Sequence, residues 1–244
     1  MQKEFDFLEN ESQGELTSHP KTLLILDTET TGLEPENHFC LEVGAILFHV
    51  ERRSVLSQVS FLLPVMENQA ESINNIPAEI TRIPQPYSEA LEYFQTLVKS
   101  SDAIIAHNAA FDKKWFGIGL LPEINKTWIC SMEDINWPKK LNLKSRPSVR
   151  DLALAYEVPV WSAHRALTDC IYLGEVFKRC NELEGLLLNA LEPRTLMRAQ
   201  VSYEERHLAK KAGFMWNEPI PGAWTRRLSK SQALELDFPV VKVE

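Results

Sequence analysis

The sequence predicts an α/β fold, a mixed sheet flanked by helices and followed by a small β-α-β-β module. Three observations carry this. Residues 22–26 (TLLIL) and 102–106 (DAIIA) are short apolar runs, as expected of strands buried on both faces. Segments 41–50 and 55–63 are β-rich and separated by the charged turn Glu51-Arg52-Arg53. Apolar residues at helical spacing mark helices over 87–99, 148–157 and 165–183.

Taken in order, residues 1–20 carry a net charge of −4 with little apolar periodicity, and read as a disordered acidic leader. Strand 22–26 and the two β-rich strands follow. Helix 87–99 places Ala90, Leu91, Phe94, Leu97 and Val98 on one face, strand 102–106 comes next, and a helical pattern begins near Ala109. Residues 21–193 hold a net −7, whereas 194–230 hold +5, so the sign change near Pro193 divides a domain over 21–193 from a basic module over 194–244. In the module, residues 196–201 read as a strand. Ser202-Tyr203-Glu204-Glu205 is a capping box opening a helix through about Ala212, and Gly213 can end it. Residues 214–216 and 223–228 flank a turn-rich hairpin loop.

Composition excludes several classes. The chain has 244 residues and a net charge of −8, which argues against coating nucleic acid by bulk charge. No apolar run approaches the ~18 to 20 residues of a membrane span. The acidic N-terminal stretch has no basic segment followed by an apolar one, so a cytoplasmic location is expected. Four scattered Cys with no C-x-x-C suit neither a disulfide framework nor a zinc site. There is no Walker A loop and no G-x-G-x-x-G.

The chemistry lies in the acids. Asp27 and Glu29 follow strand 22–26, two apart, and so converge on one side. His107-Asn108-Ala109-Ala110-Phe111-Asp112 follows strand 102–106 and places Asp112 in the first turn of a helix. Asp169 lies beside the apolar stripe of helix 165–183. His164 is five residues earlier, about 140° around a helix, so it belongs at or before the helix start, folding across its end. Taken singly, each group also reads as solvated acids, a helix cap or a salt bridge. Together they place four carboxylates at one end of a sheet, where open α/β sheets gather their chemistry. Oxygen ligands alone call for a hard divalent ion, Mg²⁺ or Mn²⁺. Acid-rich sites of this kind hold two metals for phosphoryl displacement, with a nearby His as general base.

These residues resemble the DEDDh 3′–5′ exonucleases, the DnaQ-like family of the proofreading ε subunit with its ribonuclease-H-like fold. The first motif, D-x-E-T-T/C-G-L, is Asp27 to Leu33. The second, H-N-x-x-F-D, is His107 to Asp112. The third, H-x4-D, is His164 to Asp169. The wording of 128–132 and 164–170 is similar to the exonuclease X branch, and the resemblance spans about residues 21–183. It implies that Asp27, Glu29, Asp112 and Asp169 bind two Mg²⁺ (or Mn²⁺) and that His164 is the general base. Hydrolysis would release nucleoside 5′-monophosphates from DNA 3′ ends, chiefly single strands. Thr30, Thr31, Leu33, Asn108 and Phe111 would form the terminal-nucleotide pocket, although Leu33 and Phe111 are equally compatible with a core position. Glu42 reads as structural. A nucleotide-contacting His of the family is replaced by Thr81 in Ile80-Thr81-Arg82-Ile83-Pro84. An exoribonuclease is the alternative within the class. An inactive fold serving as a DNA- or polymerase-binding subunit is the alternative outside it, and the intact acids and His argue against that.

Two basic regions are candidates for nucleic-acid backbone contact. Lys139, Lys140, Lys144, Arg146 and Arg150 lie within twelve residues that contain no acid. In the module, Lys210, Lys211 and Arg226 read as phosphate contacts beside Trp216 and Trp224. The two Trp themselves read first as a minimal core, with base stacking as the other use of such residues.

Overall fold

A computed structural model describes residues 18–161 and 164–243; of the expected leader, residues 1–17 lie outside the described residues. The first unit comprises β1 (Thr22–Thr30), β2 (Cys40–His49), β3 (Ser54–Leu62), α1 (Glu71–Asn74), α2 (Ala78–Thr81), α3 (Tyr87–Ser100), β4 (Ala103–Ala106), α4 (Ala109–Lys113), β5 (Trp128–Cys130), α5 (Val149–Ala155), α6 (Ala166–Arg179) and α7 (Leu183–Ala190). The second comprises β6 (Arg194–Ala199), α8 (Arg206–Lys211), β7 (Met215–Trp216), β8 (Trp224–Ser229), α9 (Lys230–Leu234) and β9 (Val240–Lys242).

The large sheet has strand order β3-β2-β1-β4-β5. The β3-β2-β1 meander is antiparallel, whereas β4 and β5 run parallel to β1. Alternation along β1 builds two cores. Leu23 and Ile25 face α5, α6 and α7 with Ile46, Phe48, Leu173 and Phe177. Leu24 and Leu26 face α3 and the segment after α4, with Phe94, Trp115 and Phe116. A strand buried on both faces has no polar period to show, which is why TLLIL reads as a continuous apolar run.

Several boundaries differ from expectation. β1 continues through the acidic motif because β2 stays paired with it, Asp27 to Gly44 and Glu29 to Glu42. Its parallel partner β4 is registered only as far as Ile25. The acids therefore occupy the part of β1 that outruns β4. The helix expected over 165–183 stops at Arg179, because Cys180 is extended, and α7 then turns Leu183 and Leu187 back onto the same core. β5, α1 and α2, each of three or four residues, are too short to show a period.

The second unit forms a four-stranded sheet, order β7-β8-β6-β9, rather than three strands. The extra pieces arise from a capping box between Ser229 and Gln232 that starts α9, and from Val240, which is buried opposite Ala199 on β6. The expected stop after α8 is a Schellman closure: Gly213 at φ 79° donates to the Lys210 carbonyl and Phe214 to that of Ala209. The small unit docks on the loop after β5. Arg194 places Nη2 2.8 Å from the Asp134 carbonyl oxygen and Nε 3.3 Å from its carboxylate, and Gln232 Nε2 donates to Asn136. Among the described residues, no helix is long and apolar enough to cross a membrane.

Candidate active site

Odd-numbered side chains of β1 face α6, so Asp27 and Glu29 are directed towards the helix that carries Asp169. The approach of α6 is permitted by Gly44. A Cβ there would lie 2.3 Å from the Leu167 nitrogen, so the first turn of α6 rests directly on β2. Glu42, only 1% exposed, accepts the Ala166 N–H at 3.0 Å through Oε2 and so caps this helix from the sheet. Arg165 forks onto the same carboxylate. The chain before Arg165 turns sharply, with His164 at φ 62°. The His164 N–H reaches the Asp169 carboxylate, and the Asp169 N–H reaches the Arg165 carbonyl at 3.1 Å. His164 thus folds across the helix start, and ligand atoms of Glu29, His164 and Asp169 lie within 4.8 Å of one another.

Asp112 arrives from the other side of β1. Its Oδ1 accepts both the backbone N–H (3.0 Å) and the hydroxyl (2.8 Å) of Thr28, the residue between the two strand acids. The turn into α4 is made by Asn108 at φ 68°, a conformation Asn tolerates better than most residues. Asn108 is exposed and makes no side-chain cap. Beside it, His107 spans two elements: Nε2 donates to the Pro147 carbonyl and Nδ1 lies against the Ser131 hydroxyl, both at 2.9 Å. Burial holds its pKa down at about 4 against the Pro147 bond, which keeps the ring neutral.

The acids form one electrostatic cluster. Burial, then repulsion from Asp112, Asp169, Glu29 and Glu42, pushes Asp27 well above the carboxylate range. Burial and the Glu42 charge raise Glu29 to about 8. Burial raises Asp112 to about 7 against its Thr28 hydrogen bonds, and raises Asp169 against the pull of His164. A set of oxygen donors that resists ionising together is suited to hard cations, whose charge removes the repulsion. Asp27, Glu29, Asp112 and Asp169 fit such ions on this ground.

Residues 24–177 match the exonuclease family. The chain belongs to that family. The match agrees with the DEDDh reading of its motifs. A PolC-type DNA polymerase III of Thermotoga petrophila is 27% identical over 166 residues, covering 66% of this chain but only 12% of that protein's length. The ε subunit of DNA polymerase III of Treponema pallidum is 28% identical over 160 residues, covering 62% of this chain and 72% of its own. The zinc-ion-bound E. coli exonuclease I–single-stranded DNA complex shares the fold, with a TM-score of 0.56, 18% identity, and coverage of 78% of this chain and 50% of that one. Residues 195–243 match a domain of unknown function (DUF8626).

Within the exonuclease domain, the residues that follow the two acids of the first motif have divided tasks. Thr30 and Thr31 are buried and hold the loop: the Thr30 hydroxyl donates to the Gly32 carbonyl, and Thr31 Oγ1 accepts the Phe39 N–H. Leu33 is 69% exposed on that loop, which removes the core alternative for it. Phe39, absent from the sequence expectation, is 66% exposed on the same loop. Phe111 is half-buried, edge-on to Trp115. Thr81 is buried, its hydroxyl accepting from the Val65 N–H and donating to the Ala78 carbonyl, so it ties a loop instead of presenting a ring.

The basic candidates divide too. Lys139 pairs with Glu235, Lys140 with Glu182, Lys144 with Asp151 and Arg146 with Glu133, acids drawn mostly from distant segments. Lys210 and Lys211 are exposed and without an ion pair among the described residues. Arg226 departs from the expected surface contact: it is half-buried, with Nη1 donating to the Ala212 carbonyl. Glu42, Arg165, Thr28 and His107 are the supporting residues that the motif reading left without a partner.

Proposed function

We propose that this chain is a metal-dependent 3′–5′ exodeoxyribonuclease that shortens DNA, chiefly single strands, from the 3′ end and releases nucleoside 5′-monophosphates. Residues 21–193 are its catalytic domain, and 194–244 an accessory module. The observation that carries the reading is the meeting of Glu29, Asp169 and His164 within 4.8 Å, with Asp27 and Asp112 in the same cluster of raised carboxyls.

Asp27, Glu29, Asp112 and Asp169 would hold two Mg²⁺ or Mn²⁺ ions, which supply charge stabilisation to the phosphodiester and make water easier to deprotonate. His164, exposed and held at the start of α6, takes the proton from the attacking water as general base. Leu33 lies under the terminal base, with Asn108 and Phe111 completing its pocket. Thr30 and Thr31 hold the Leu33 loop in shape.

The test is a degradation assay on 5′-labelled and 3′-labelled DNA and RNA strands with Mg²⁺, Mn²⁺ or chelator. The reading requires loss of the 3′ label as mononucleotide, a ladder from the 5′-labelled strand, preference for DNA, and no cleavage in chelator. D112A abolishes cleavage, and H164A lowers turnover by ~10² to 10⁴. Intact strands with both metals would refute it. A preference for RNA would move the substrate to the ribonucleotide class.

A further inference from the structure

Most cations of the loop over 139–146 are matched by acids, so unneutralised positive charge has to be sought elsewhere. The second unit supplies it at a pocket of about 560 Å³ whose lining includes Arg198, Tyr203, Arg206, Trp216 and Trp224 and contains no acid. Arg198 and Arg206 are exposed and have no ion pair among the described residues. Tyr203 is 75% exposed, and the Arg206 guanidinium lies 3.7 Å over its ring, leaving the opposite face to solvent. Trp216, 52% exposed, leans on Trp224 at a centroid distance of 5.5 Å. The inner Trp224 packs against the module core, so the outer ring is held in place without being covered.

Exposed rings of this size cost solvation unless something covers them, and a lining whose charged side chains are both guanidinium groups favours an anion. A flat aromatic surface beside two guanidinium groups matches one chemistry closely, a base with its flanking phosphate. We propose that this pocket is a nucleotide-binding subsite for single-stranded nucleic acid, with a base stacked on Trp216 or Tyr203 and the adjoining phosphate paired to Arg198 and Arg206. The proposal rests on the exonuclease reading for its substrate class, and gives the module the task of holding the strand.

The experiment uses the full chain with metal chelated and a fluorescein-labelled dT20 strand followed by anisotropy. At least one of W216A and Y203A weakens binding by ~5- to 100-fold, the effect of losing one stacked base. W216F, which keeps a ring, binds within about threefold of the parent. R198Q and R206Q each reduce the slope of log affinity against log salt by about 0.7. Tyr203 is largely exposed, so its truncation reads binding without a folding defect. Unchanged affinity and slope in W216A, Y203A, R198Q and R206Q overturns the subsite. Poly-aspartate that displaces dT20 from the parent, and itself loses affinity in W216A, overturns it in favour of an acidic peptide. Because no cleavage is needed, a chain that cuts normally but binds independently of these residues sinks this inference alone. One that binds through them but never cuts sinks the exonuclease reading alone.

Discussion

Arg165 Nη2 lies 2.7 Å from Glu42 Oε1 and Arg165 Nε 3.0 Å from Glu42 Oε2, so one guanidinium closes over a carboxylate buried in the sheet. Glu42 stands directly opposite Glu29 in the β1–β2 register, where two like charges would repel. The fork offsets part of that repulsion, which still raises Glu29, and fixes the residue next to His164. R165A is expected to lower kcat about 10-fold with a smaller change in KM, because a misplaced base costs turnover more than substrate affinity. Stability should fall by about 1–3 kcal/mol, less than for a fully buried pair because Arg165 is half exposed. R165K should recover stability better than kcat, since a lysine cannot fork. An unchanged kcat in R165A would show that His164 is held without it.

Thr28 offers a second test through Asp112. T28V keeps the shape of the side chain and removes the hydroxyl that donates to Asp112 Oδ1. Loss of about 1 kcal/mol of stability and a several-fold weaker metal dependence are expected. Titration of Mg²⁺ in the cleavage assay reads the second effect. An identical metal curve would confine Thr28 to a structural role.

The raised carboxyls predict an inverted response to pH. Glu29 at about 8 and Asp112 at about 7 lie above their unfolded values, so the fold favours their protonated forms. Their contribution to stability is complete at low pH and is lost as pH rises through about 7 and then about 8. The chelated protein should therefore melt lower at about pH 9 than at about pH 6. Mg²⁺ or Mn²⁺ should raise Tm more at the higher pH. A flat Tm in chelator across that range would remove the strained acid cluster.

His107 works in the opposite direction. Its folded pKa of about 4 is below the ordinary value, so its contribution is complete above about 6.5 and is lost as pH falls towards 4. H107A should cost roughly 1–3 kcal/mol by leaving the Pro147 carbonyl unpartnered and taking one of two contacts from the Ser131 hydroxyl. Acid denaturation of H107A should begin no earlier than its overall lower stability requires. A steeper acid limb than the parent's would reject this role.

The linear motifs were legible because each lies within seven residues or fewer and follows an apolar strand or opens a helix. The turn of His164 before α6 was legible from helical geometry alone. What was not legible is pairing at a distance. Glu42 and Arg165 are 123 residues apart, Thr28 and Asp112 84. No local period connects them. The cations of 139–146 read as free for the same reason, since Glu182 and Glu235 meet them only after folding. In the small unit, β9 escaped because a three-residue strand is determined by the strand it pairs with, whereas α9 opens on a local signal, the Ser229–Gln232 capping box.

Arg194 has a consequence for how this chain could be cut and recombined. Its guanidinium belongs by sequence to β6 and by bonding to the loop after β5, and Gln232 and Glu235 reach that same loop. The visible boundary near Pro193 is therefore not a clean seam. A truncation there would strip partners from residues 134–139 and disturb the catalytic half, confounding any loss of nucleic-acid affinity. A graft that moves the module onto another nuclease would have to carry those six residues with it as its socket.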